Sequence, residues 1–107
     1  MELDAVRAFA ASLPGTTEEP HFDRWSFRVG GKIYATYGAD PSVNVFVDKA
    51  RVPEVLVPGV VEELYWGKQL SGVRVLLASA SEETVQGLLT EAWRRKAPKR
   101  LGNPRPP

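Results

Sequence analysis

Trp25-Ser-Phe-Arg-Val-Gly-Gly-Lys-Ile-Tyr-Ala-Thr-Tyr-Gly38 is the stretch whose reading decides the fold. Trp25, Phe27 and Val29 alternate with Ser26 and Arg28, the period-2 pattern of a strand with one buried face. After Gly30-Gly31 the alternation resumes through Ile33, Ala35 and Tyr37, so the glycines turn a hairpin. A two-residue Gly-Gly turn pairs Val29 with Lys32 and Phe27 with Tyr34, which puts Ile33 and Ala35 opposite the Trp25 stripe. A three-residue loop, Gly30-Gly31-Lys32, or its equivalent with a bulge, instead pairs Val29 with Ile33, Phe27 with Ala35 and Trp25 with Tyr37. All six apolar side chains then share one face. Burying a large apolar side chain contributes about 1.5–3 kcal/mol, more than turn preferences do, so the hydrophobic register is expected to prevail, with Lys32 at the tip. The opposite face then carries Arg28 across from an exposed Tyr34, beside Ser26, Thr36 and Phe46.

The glycines do not form a phosphate loop. A nucleotide-binding loop needs a glycine five positions before the Gly-Lys pair and a hydroxyl after it. Here those positions hold Ser26 and Ile33. A dinucleotide fingerprint fails too, because a strand follows the glycines where that motif requires a helix.

Outward from the hairpin, Gly38 to Pro41 forms a turn into a third strand, with Val43, Val45 and Val47 on one side and Asn44, Phe46 and Asp48 on the other. These three strands make an antiparallel meander. Before it, Leu3, Val6, Phe9, Ala10 and Leu13 recur at helical spacing, which predicts a helix over residues 2–13 that stops at Pro14-Gly15; residues 16–20 read as a polar turn. After it, residues 49–57 read as a short helix interrupted by Pro53. Residues 63–67 and 73–78 read as a second hairpin whose loop contains Lys68 and Ser71-Gly72. Ser79 or Ser81 caps a last helix with a buried stripe of Val85, Leu88, Leu89, Ala92 and Trp93, and Ser79 with Glu82 would form a capping box. That helix frays near Pro98. The order (helix, three-stranded meander, short helix, hairpin, helix) is that of a single α+β domain over residues 1–101, and residues 102–107 read as a disordered tail.

With 107 residues the chain supports one core, and the absence of cysteine excludes disulfides, thiolate nucleophiles and cysteine metal sites. No apolar run approaches the ~20 residues of a membrane helix, and the N-terminus lacks a basic leader, so a cytoplasmic protein without a membrane partner is expected. Charge is lopsided. Residues 1–93 hold thirteen acids against eight Lys and Arg, whereas Arg94, Arg95, Lys96, Lys99, Arg100 and Arg105 stand in the last fourteen residues with no acid.

LPGTTEEPHF, WSFRVGGKIYATYG, VNVFVD and the terminal EAWRRKAPKRL resemble, in order and spacing, the MmcQ/YjbR family of small bacterial proteins. The resemblance runs from about Leu3 to Leu101. It implies a secretion-chaperone-like, YjbR-like α+β fold and a DNA-binding role in which the two hairpins act as a double wing. Members often carry a tryptophan just before the fifth strand, where this chain has Gly72 and Val73.

Catalysis has little to draw on. His21 is the sole histidine, no nucleophile motif accompanies it, and neither an enzyme, a cofactor nor a metal site is expected. Glu18-Glu19 with His21 and Asp23 is the densest polar cluster and reads as solvated loop. For nucleic acid, the candidate phosphate contacts are Arg28, Lys32, Lys68 and Arg74 on the hairpins and Arg94, Arg95, Lys96, Lys99 and Arg100 at the C-terminus, with Tyr34 and Phe46 as stacking platforms. The alternative is a protein-interaction or dimerisation module using the sheet face that bears Tyr34, Phe46 and Leu76.

Overall fold

The computed structural model describes residues 1–101. The elements are α1 (Leu3–Ser12), β1 (Thr16–His21), β2 (Arg24–Val29), β3 (Lys32–Tyr37), β4 (Ser42–Val45), α2 (Val52–Val55), β5 (Val61–Trp66), β6 (Gln69–Leu76), α3 (Glu82–Lys96) and a 3₁₀ turn at Lys99–Leu101. All six strands form one antiparallel sheet in the order β1-β2-β3-β4-β6-β5. The α+β class, the meander and both long helices agree with the sequence; the second hairpin is present, but its turn is Gly67-Lys68 and Ser71-Gly72, expected in the loop, lie inside β6. The expected disordered tail lies outside the described residues.

Both long helices pack on one face of the sheet. The stripe of α3 meets Phe27, Val29, Ala35, Val43, Val45, Val73 and Val75 there, and these side chains are buried. Trp93 sits fully inside, its indole N–H donating to the Pro14 carbonyl at 2.9 Å. The N-cap of α3 is Ser81, whose Oγ accepts from the Thr84 N–H at 3.1 Å, so the Ser79–Glu82 capping box does not form.

The central hairpin satisfies both competing registers. Gly30 and Gly31 have φ of 58° and 78° and make the two-residue turn, with Val29 paired to Lys32. Beyond it a bulge inserts Tyr34, so Arg28 pairs with Ile33 while Phe27 meets Ala35 and Trp25 meets Tyr37. Lys32 therefore begins β3 and does not belong to a three-residue loop. Ile33 turns to the open face and Tyr34 takes the core position expected for it. The hydrophobic register survives for Phe27, Ala35 and Tyr37 because one extra residue costs less than turning Ala35 and Tyr37 out of the core, whereas Trp25, expected in the buried stripe, remains 45% exposed.

Residues 16–21, expected as a turn, form the edge strand β1. Its helix-facing residues are polar but satisfied. Thr16 Oγ1 lies 2.9 Å from the Tyr34 hydroxyl, and Glu18 accepts from Arg7 Nε at 3.0 Å and from the Tyr37 hydroxyl. Burial pushes the Tyr34 phenol up to about 12; burial and then the Glu18 carboxylate do the same for Tyr37.

Gly72 sets how closely β6 approaches β4. A Cβ there would lie 2.4 Å from the Val45 carbonyl oxygen and 3.0 Å from Phe46 Cα. No larger residue fits at that position.

Candidate functional site

No helix among the described residues packs on the other face of the sheet, where the residues alternating with the core line a groove of about 320 Å³. Phe46, Ile33, Leu64, Tyr65 and Trp66 supply most of its wall, and His21, Arg24, Thr36, Asn44 and Ser71 supply the polar groups. Trp66, beside the Gly67-Lys68 turn, is 79% exposed, and Tyr65 is 51% exposed. Phe22 projects from the β1–β2 turn with φ 58° at 91% exposure, its ring edge-on to His21. Exposed apolar surface of this kind commonly marks an interaction site in small domains.

At one end of this groove the arginines are tied down. Arg74 Nη2 lies 3.0 Å from Asp40 Oδ2 and its Nε donates to Ser42 Oγ. Arg24 donates through Nε to Thr36 Oγ1 at 3.3 Å and reaches Asp40 at 3.9 Å. The Ser42 hydrogen bond, then the Arg74 and Arg24 charges, hold the Asp40 carboxyl below the usual carboxylate range. Arg28 donates to Ser26 Oγ at 2.9 Å and to the Pro20 carbonyl. Arg28 does not lie across from an exposed Tyr34 as expected, because its partner is Ile33 and Tyr34 is buried in the core.

The other end opens into a second, basic groove of about 470 Å³ that shares Ile33, Phe46 and Ser71 with the first. Lys49, Arg95 and Lys96 line it. Arg95 Nη1 donates to the Phe46 carbonyl at 3.0 Å, and its Nε lies 4.0 Å from Asp48. Burial, then the charges of Arg95 and Lys32, hold the Lys96 ammonium below its ordinary value. Among the described residues, Lys32, Lys49, Lys68 and Lys96 have no carboxylate within ion-pair distance. Pro98 packs at Gly30 and Leu101 at Gly15, which fixes the start of the basic C-terminus beside the β2–β3 turn.

Of the residues proposed from sequence, Lys32, Arg95, Lys96 and Phe46 come together around the two grooves, and Lys68 stands at the tip of the neighbouring hairpin. Arg94, Lys99 and Arg100 are exposed on the last turn of α3 and the 3₁₀ turn. Arg28 and Arg74 are held away from the cluster by their own partners. Tyr34 is a correction: it is fully buried and offers no ring face for stacking, because the bulge moved it into the core. The groove's aromatic wall comes from Tyr65 and Trp66 instead, which sequence reasoning left as ordinary strand residues. Their signal was two adjacent aromatics immediately before a Gly-Lys turn.

Among the described residues no group of His, Asp and Glu is arranged to hold a metal ion. Glu18 and Glu19 point to opposite faces of β1, which separates the acidic pair. No helix among the described residues is long and apolar enough to cross a membrane.

The model of the YjbR family matches residues 11–95. The chain belongs to the YjbR family. The YjbR match runs from the end of α1 to the last turn of α3 and so contains the whole sheet and, except for Lys96, the residues that line both grooves. No curated protein and no solved structure matched the chain.

Proposed function

We propose that this YjbR-family protein is a non-enzymatic binding domain that takes single-stranded DNA across the open face of its sheet. The observation that supports it is the continuity of the two grooves through Ile33, Phe46 and Ser71, with exposed aromatic rings on one side and unpaired lysines on the other. Bases stack on aromatic side chains at about 1–3 kcal/mol each, while ammonium and guanidinium groups hold the backbone phosphates. A duplex keeps its bases stacked inside and cannot present them to Phe46, Tyr65 and Trp66, so single strands fit this face better. The non-enzymatic part of the reading rests on His21, which packs against Phe22 and is hydrogen-bonded to neither the serine nor the threonine hydroxyl of the groove, Ser71 being turned to the Gln69 carbonyl and Thr36 to Arg24.

Tryptophan fluorescence titrated with single-stranded and duplex DNA at two salt concentrations tests the reading. With three or four phosphates contacted, single-strand affinity falls roughly 20- to 50-fold between about 50 and 200 mM salt. Trp66→Ala and Phe46→Ala weaken it further. A second reading, a protein partner docked on the same face, is favoured by the apolar lining and the exposed Phe22. Absence of DNA binding at low salt, with salt-indifferent association of the protein, selects that reading.

A further inference from the structure

The two grooves differ in a way that specifies which part of a strand they take. Among the described residues, cations without a carboxylate partner stand at one end of the apolar groove only. At the far end Arg74 and Arg24 share Asp40, while Arg28, the cross-strand partner of Ile33 nearer the shared end, is spent on Ser26 and the Pro20 carbonyl. A surface that tracks the interior of a strand combines its stacking platform with a positively charged groove that follows the backbone along its length. Here the positive charge converges instead. Lys49, Arg95 and Lys96 line one concavity, and Lys32 is near enough to act on the Lys96 charge. Asp48 lines the same concavity, accepting from the Ala50 N–H at 2.9 Å and lying 4.0 Å from Arg95 Nε, so among the described residues Lys49 and Lys96 are the lining cations there without a carboxylate partner.

We propose that the ligand unit is the end of a strand, a nucleotide with a terminal phosphate monoester: the phosphate occupies the basic groove, and its base occupies the apolar groove against Phe46. This inference rests on the nucleic-acid reading above. A phosphate monoester carries about −1.5 to −2 charge at neutral pH against −1 for an internal diester, so it makes fuller use of a convergent cluster. The like-charge crowding and partial burial at Lys96 are what a bound dianion relieves. Phe46 lies between the two sites, its carbonyl oriented by Arg95 while its ring borders both grooves.

Calorimetric titration of the full chain with one short single-stranded oligonucleotide, bearing a 5′-phosphate, a 3′-phosphate or neither, tests the proposal. One phosphorylated form is expected to bind roughly tenfold tighter than the hydroxyl-ended strand. Lys49→Gln/Lys96→Gln, with its fold checked by circular dichroism, abolishes that preference, whereas Lys68→Gln retains it. Equal affinity for all three strands overturns the inference and leaves the nucleic-acid reading standing. Binding of none of them overturns both. Competition by inorganic phosphate at the same concentration as the phosphorylated strand also overturns the inference, because the groove would then be a bare anion site with no call on the base.

Discussion

Replacing Tyr34 tests the bulge that separates core from binding face. Its ring is fully buried, 6.3 Å from that of Phe27 between centroids, and its hydroxyl lies 2.9 Å from Thr16 Oγ1. Truncating a buried aromatic to alanine costs about 3–5 kcal/mol, and a buried hydrogen bond contributes about 1 kcal/mol. Tyr34→Phe should therefore lose about 1 kcal/mol, which lowers Tm by about 4 °C in a domain of this size, and Tyr34→Ala about 4 kcal/mol. The second loss is a large part of the roughly 5–15 kcal/mol that a domain has in total. Urea denaturation followed by circular dichroism reads both, with Phe46→Ala as the comparator on the open face. That variant should cost less than Tyr34→Ala, because Phe46 is half-buried. A Tyr34→Ala loss below about 1 kcal/mol, or one no larger than that of Phe46→Ala, would refute the bulged register and return Tyr34 to the exposed face.

Three further outcomes follow from the geometry. Gly72→Ala should destabilise by about 1–3 kcal/mol in the same urea assay, since its Cβ meets the Val45 backbone, whereas Gly87→Ala, where a Cβ meets no atom within 4 Å, should not destabilise. Alkaline titration should lower stability from about pH 10 towards 12. Tyr34 and Tyr37 are neutral in the folded protein up to about 12 but ionise near 10 when unfolded, so their contribution is full below pH 10 and lost above it. Arg74→Ala should leave single-strand affinity within about twofold, because Asp40 and Ser42 already engage it, while Lys96→Ala reduces affinity and flattens the salt dependence by about one phosphate contact.

The parts of the fold legible in the sequence are those whose periodicity runs uninterrupted. Val85, Leu88, Leu89, Ala92 and Trp93 repeat at helical spacing and all five are buried; Val43, Val45 and Val47 alternate and all three face the core. Two features escaped. β1 reads as a turn because its core-facing Thr16 and Glu18 are polar, and only tertiary partners, the Tyr34 hydroxyl, Arg7 and Tyr37, make those positions acceptable in a strand. Tyr34 was misplaced because a bulge breaks period 2 without leaving a glycine or proline to mark it. The site was half legible for the same reason: Phe46 follows from the alternation that continues just past β4, but its aromatic neighbours depend on how β5 and β6 fold back beside it. Net charge did not reveal which cations were available, since Arg28 and Arg74 are spent on local partners while Lys32 and Lys96 are not.

Amide chemical-shift mapping with a short unstructured oligonucleotide tests the binding face most directly. The account predicts shifts at Thr36, Asn44, Phe46 and Leu64 to Trp66 together with Arg95 and Lys96, and none at the helix-facing Val43 and Val45 beyond those transmitted from their neighbours. Shifts confined to residues 94–107, with Phe46 and Trp66 unmoved, would contradict it and reduce the sheet face to scaffolding.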